Sequence, residues 1–250
     1  MVKPTSPEDG QAHGLRRRAG RRRLVFAIAI TVAIAIVVPL AIILSGSRGV
    51  SGSPAAGSAG DSTSGAMANN GPVIAWNPSH QDDTGTDGWH EYAVCGAIAK
   101  RTIALLPDFT NVLCWETGMG LTSDGGAALR SECEKANAAH AQIFIAVHVN
   151  GGGGRGLAGY YYTGDSSSAH YAEALLGSVS ASMGMTVRQV SPRSNLFVLD
   201  PANNHAPIRV LLELGDNVTD RELLTSAQGQ KKLAAALAKA VNENRPSDSR

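Results

Sequence analysis

The sequence predicts an α/β fold, a twisted, mostly parallel sheet flanked by helices, preceded by one transmembrane helix. Three observations lead there. From about residue 71 to residue 243, apolar runs of strand length alternate with segments of helical periodicity, the pattern of a parallel sheet covered by helices. The run Ile143-Phe144-Ile145-Ala146-Val147 is unbroken, as expected of a strand buried on both faces. Leu24 to Leu44 is a stretch of 21 residues without a charge, broken only by Thr31 and Pro39. At roughly 1.5 Å per residue it is long enough to cross a hydrocarbon core of about 30 Å.

The flanks of that stretch set its orientation. Residues 1–23 carry Lys3, six arginines, Glu8 and Asp9, a formal charge of +5. Such a cluster keeps the N-terminus in the cytoplasm and places everything after residue 45 outside, as a single-pass protein of the cell membrane. A cleaved signal peptide is the competing reading, but its apolar region runs to about 7–15 residues and ends in a small-residue site. The whole chain is formally +1, so the part beyond residue 23 is about −4 and has no basic excess for phosphates. Nucleic acid is not an expected partner. Residues 45–70 are rich in Ser, Gly and Ala and short of large apolar groups, so they read as a flexible linker. Residues 71–243 form the folded domain, and 244–250 a polar tail.

Within the domain, Val73-Ile74-Ala75-Trp76 reads as the first strand, ending in Asn77-Pro78-Ser79-His80. Glu91 to Leu106 has helical spacing and is closed by Pro107. Asn111 to Trp115 is the second strand, Ser123 to Ala141 a helix, Ile143 to His148 the central strand and Gly159 to Tyr162 another. Ser166 to Met183 is a helix with serines as N-caps. Thr186 to Val190 and Leu196 to Leu199 read as weaker strands, Ile208 to Leu212 as a strong one, and Ser226 to Asn242 as an amphipathic helix.

Three polar residues, His80, His148 and Glu213, each follow an apolar strand. In a parallel sheet those ends share one edge, where open α/β sheets bind their ligands. Glu91, eleven residues after His80, opens the next helix and can face the same edge. Two histidines and a carboxylate are a catalytic zinc set that leaves one position for water. On this reading His80, Glu91 and His148 bind the metal. Glu213 takes the water's proton and hands it to the leaving amine. His90 points away from its neighbour Glu91 and reads as a surface residue. His140 and His170 sit on helices as structural or exposed residues, and His205, in the loop from Pro201 to Ala206, could touch substrate. Gly151 to Gly154 lack the lysine and following helix of a phosphate cradle. Of Cys95, Cys114 and Cys133, one pair could form a disulfide outside the cell, or all three could be buried small apolar residues.

From Val73 to Glu243 the chain resembles the zinc-dependent N-acetylmuramoyl-L-alanine amidases of the Amidase_3 type, enzymes of bacterial cell-wall turnover. Three segments carry the resemblance in order. Asn77-Pro78-Ser79-His80 is similar to the family's Asp-Pro-Gly-His, with Glu91 at the distance of its glutamate. Leu129-Arg130 and Ala136-Asn137, leading to His148-Val149-Asn150, resemble its arginine, Ala-Asn and Ser-Ile-His-Ala-Asn pattern. Pro207 to Leu214, with Gly215, Asn217 and Asp220, resembles the segment of its catalytic glutamate. The resemblance implies a sheet of about six strands, zinc on His80, Glu91 and His148, and Glu213 as acid and base. It also implies peptidoglycan or muropeptide as substrate, cut between N-acetylmuramic acid and L-alanine. The chain departs from the pattern at Asn77, Ser79, Gln81-Asp82 and Cys114-Trp115-Glu116, all in loops around the pocket. Those departures motivate two alternatives, a wall-binding or complex-forming protein without turnover and a zinc peptidase of the stem peptide.

Overall fold

Short apolar runs bounded by turn residues form the strands, and longer amphipathic ones form the helices. The computed structural model describes residues 71–81, 88–115, 125–152 and 154–246, all within the unit Ser62–Arg250. The strands are β1 (Val73–Pro78), β2 (Thr110–Leu113), β3 (Ile143–Asn150), β4 (Leu157–Tyr161), β5 (Val187–Pro192) and β6 (Ile208–Asp216). The helices are α1 (Glu91–Ile103), α2 (Gly125–Ala138), α3 (Ser166–Met183), α4 (Arg221–Thr225) and α5 (Ala227–Glu243). The segment Leu24 to Leu44 lies outside the described residues. Among those described, no helix is long and apolar enough to cross a membrane.

The six strands form one sheet in the order β2-β1-β3-β6-β4-β5. Strands β2, β1, β3 and β6 are mutually parallel, with Trp76 beside Ile145 and His148 beside Glu213. β4 runs antiparallel to β6 and carries β5 parallel to itself. The sheet is therefore mixed at one side and parallel through its centre.

Alternation along the central strands sorts side chains onto two faces. Ile74, Trp76, Ile145, Val147, Val210 and Leu212 pack with Cys95 and Ile98 of α1, Leu175, Leu176 and Val179 of α3, and Leu233, Leu237 and Val241 of α5. Ala75, Phe144, Ala146 and Leu211 face the other way, against Cys133 and Ala136 of α2 and against Val198 and Leu199. His148 and Glu213 continue this second face toward the strands' carboxyl ends. Gly159 of β4 is where α3 comes closest. A Cβ there would lie 2.8 Å from Leu176 Cδ1, so a larger residue would push the helix off the sheet.

A partly buried ion pair locks the other end of this face. Arg209 donates from Nη2 to Asp165 Oδ2 at 2.7 Å and from Nε to the Leu199 carbonyl at 3.0 Å. Asp165 is also the N-cap of α3, accepting from Ser168 N at 3.0 Å. Asp165→Asn keeps the cap, since Asn caps helices as well as Asp, but leaves a buried guanidinium without a counter-charge. The expected cost is about 3 kcal/mol, read as a lower denaturation midpoint at unchanged slope.

Two sequence expectations change, and a choice left open for the cysteines is decided. Leu196 to Leu199 is not a strand: Phe197–Leu199 form a single 3-10 turn that inserts Val198 and Leu199 into the second face. His140 is not in a helix but just beyond α2, in a left-handed conformation with φ 51°, and it is exposed. Of the two readings left open for Cys95, Cys114 and Cys133, the structure has the second: all three are buried free thiols with no disulfide between them.

Candidate active site

Because β1, β3 and β6 are parallel, their carboxyl ends open on one edge. His80 lies two residues past β1, and His148 sits in the last turn of the β3 ladder, directly opposite Glu213 of β6. Both side chains are partly exposed, at 20% for His80 and 18% for His148. Glu91, the first residue of α1, is buried at 3% exposure. Its Oε1 lies 3.1 Å from His148 Nδ1 and accepts from Val149 N at 3.2 Å. The carboxylate that opens α1 is thus fastened to the end of β3, which joins two of the sequence-selected residues to each other and, through the register, to Glu213.

His80 has a different neighbour, one that the sequence reading missed. Its Nδ1 lies 2.7 Å from Oε1 of Glu132 on α2, a carboxylate only 2% exposed. Glu132 falls three residues after Leu129 and four before Ala136, in the middle of the helix stripe that faces the sheet. A charge on an apolar stripe was the available signal. The imidazoles thus sit in two carboxylate pairs, His80–Glu132 and His148–Glu91. Bonding to Glu132 raises the His80 pKa against the opposing effect of burial, and the charges of Glu132 and Glu91 add to the rise.

Among the described residues, no group of three or more His, Cys, Asp or Glu is close enough to hold a metal ion as the side chains stand. The donor chemistry nevertheless suits a divalent cation. Two imidazoles and three carboxylates meet on one sheet edge, and Glu132 Oε2 and Glu213 Oε2 are buried acceptors without a donor. Buried carboxylate oxygens in that condition cost free energy that a cation would offset.

Glu213 has the most perturbed acid of the group. Burial pushes its carboxyl up from 4.5 to about 7; the neighbouring His148 opposes this, and the Glu91 charge adds to it. The folded chain therefore holds this proton more tightly than the unfolded chain does. Stability is unaffected below the unfolded value near 4.5, falls as pH rises through about 7, and stays lower above it. At 1.36 kcal/mol per pKa unit the loss is about 3 kcal/mol. Metal-stripped Glu213→Gln should therefore be more stable than wild type by about that amount at pH 8, the difference shrinking toward pH 5. A gap that does not vary with pH in paired denaturant titrations would assign the effect to something other than this proton.

The remaining histidines make other contacts. His90 is partly buried and stacks on Tyr92, with ring centroids 5.0 Å apart. His170 is exposed on α3. His205 is exposed, and its backbone N–H donates to Asn137 Oδ1 at 2.8 Å, which pins the loop between the 3-10 turn and β6.

A family model described as N-acetylmuramoyl-L-alanine amidase, of the Amidase_3 type, matches residues 74–243. No functionally curated protein matches the chain. Among solved structures, the N-acetylmuramoyl-L-alanine amidase of Clostridium difficile 630 is 20% identical at a TM-score of 0.61, covering 72% of this chain and 100% of that one. Ami1 of Mycobacterium smegmatis is 20% identical at 0.59, covering 69% and 96%. AmiC2 of Nostoc punctiforme is 23% identical at 0.58, again covering 69% and 96%. At these identities the likeness speaks for the fold, and it spans nearly the whole of each relative.

Proposed function

The chain belongs to the N-acetylmuramoyl-L-alanine amidase family, and from that premise we propose that His80, Glu91 and His148 hold a catalytic zinc ion beside Glu213. The family reaction is hydrolysis of the amide that joins N-acetylmuramic acid to L-alanine in peptidoglycan, so the protein is a cell-wall hydrolase. The observation that carries the site assignment is the register of β3 on β6. It sets His148 against Glu213 while Glu91 bonds His148.

Zinc bound there supplies Lewis acidity toward the scissile carbonyl and a water whose pKa is about 7. The rest is the work of this chain. Glu213, set directly against His148 across the ladder, is placed both to accept and to release a proton. It takes one proton from the attacking water as the new C–O bond forms. It returns that proton to the L-alanine nitrogen as the C–N bond breaks, so a carboxylic acid and an amine leave. Glu132 holds the His80 ring from behind, as carboxylates that orient metal-binding histidines do. The apolar run Leu24 to Leu44 and the arginines before it support a domain tethered to the outer face of the cell membrane. Such a tether confines cutting to wall near the membrane.

The test is to incubate full-length protein with muropeptides and identify the products by mass spectrometry. New L-alanine amino termini with intact N-acetylmuramic acid are expected. Cuts within the stem peptide instead would make the protein a peptidase, and a zinc-free, inactive protein that still binds wall would make it a binding module.

A further inference from the structure

We propose that Arg193 forms a subsite for a carboxylate of the stem peptide, next to the scissile amide. The proposal deepens the amidase reading and rests on it. Beside Glu213 the surface falls into a cavity of about 220 Å³, lined by Tyr160, Arg193, Asn195, Leu196, Leu211 and Glu213. The space suits about one amino-acid residue, and the carboxylate of the proposed catalytic site forms one of its walls. A substrate whose amide reaches Glu213 can place the neighbouring residue in this cavity, since an extended chain advances roughly 3.3–3.6 Å per residue.

The cavity's chemistry is lopsided. Leu211 is buried and Leu196 partly so, which gives an apolar floor. Above it the Arg193 guanidinium carbon lies 5.1 Å from the centroid of the Tyr160 ring, close enough for a cation–π contact. Two further bonds hold this pair in place. Tyr160 Oη accepts from Gln189 Nε2 at 2.8 Å, and Arg193 N donates to the Tyr161 carbonyl at 2.7 Å. Arg193 is exposed and lines the cavity together with Glu213, which puts its guanidinium within reach of an acid seated there. A guanidinium so placed matches a carboxylate in geometry and charge better than any neutral group. Its exposed position leaves room for the acid to arrive from solvent.

Two small substrates separate the subsite from the chemistry. One is N-acetylmuramoyl-L-alanyl-D-glutamic acid, the other the same compound with both glutamate carboxyls amidated. Wild type is expected to cleave the acid with a kcat/KM at least about tenfold higher, the difference lying in KM. Arg193→Met should bring the acid down to the level of the diamide, and Arg193→Lys should recover part of the preference. The same two compounds are titrated calorimetrically into full-length Glu213→Gln protein, with and without Arg193→Met. Tighter binding of the acid, lost in the double variant, supports the subsite even if no substrate is cut, a result that would instead sink the amidase reading. Cleavage with equal preference for acid and diamide, or Arg193→Met weakening both alike, overturns the subsite and leaves the amidase reading standing.

Discussion

Glu213→Gln is expected to leave the domain folded and to lower the rate of amide hydrolysis by about 10²–10⁴-fold, with KM little changed. Glutamine has the size and shape of glutamate, and its amide can lie in the same half-covered position between β3 and β4. It cannot accept a proton from water or return one to the leaving nitrogen. Removing the acid also removes the burial cost that pushes its pKa to about 7, so the metal-stripped variant should melt no lower than metal-stripped wild type at neutral pH. That combination distinguishes chemistry from scaffolding, because damage to the sheet would reduce stability and rate together. Full activity in Glu213→Gln would remove this residue from the mechanism.

The second large effect falls on the metal. His148→Ala is expected to abolish activity and to weaken zinc retention by more than the roughly 10–100-fold that losing an outer-shell partner costs. The imidazole sits between two carboxylates, bonded to Glu91 at 3.1 Å and set opposite Glu213 in the ladder. Without it, the buried Glu91 keeps Val149 N as a partner, and the two acids face each other with less positive charge between them. The metal-free variant should therefore lose stability as pH rises, beyond the loss expected for wild type. Dialysis against a graded series of zinc buffers, followed by metal analysis, reads the affinity. Retention equal to wild type would remove His148 from the ligand set.

Much of this site can be read from the sequence because a parallel sheet does the assembling. Once β1, β3 and β6 are recognised as parallel, residues at their carboxyl ends share an edge whatever their separation in the chain. That logic selects His80, His148 and Glu213, and the start of α1 adds Glu91. Glu132 escapes it because it lies on a helix face rather than at a strand end. Its contact with His80 depends on how α2 settles on the sheet, which strand periodicity does not encode. Arg193 escapes for a similar reason: the cavity wall it forms exists only when the segment after β5 is brought beside β6.

The fold shows the same division. Ser166 to Met183 has the bounds the sequence predicts, and Gly184, at φ 66°, ends it in the left-handed region; its N-cap, however, is Asp165 and not one of the serines, which already lie inside the helix. Leu196 to Leu199 is less legible, because four apolar residues fit a short strand and a buried turn equally well. The reversed direction of β4 was available from chain length. Only residues 151–156 separate β3 from β4, too few for the crossover of a dozen or more that a parallel return requires. β6 then fills the gap between them.

Zinc K-edge X-ray absorption on the purified, full-length protein tests the metal centre most directly. The expected result is one zinc per chain, with nitrogen and oxygen ligands at about 2.0–2.2 Å and imidazole scattering from two histidines. Absence of stoichiometric zinc after purification in zinc-containing buffer would contradict the account. So would sulfur ligands near 2.3 Å, which would move the metal to the buried cysteines.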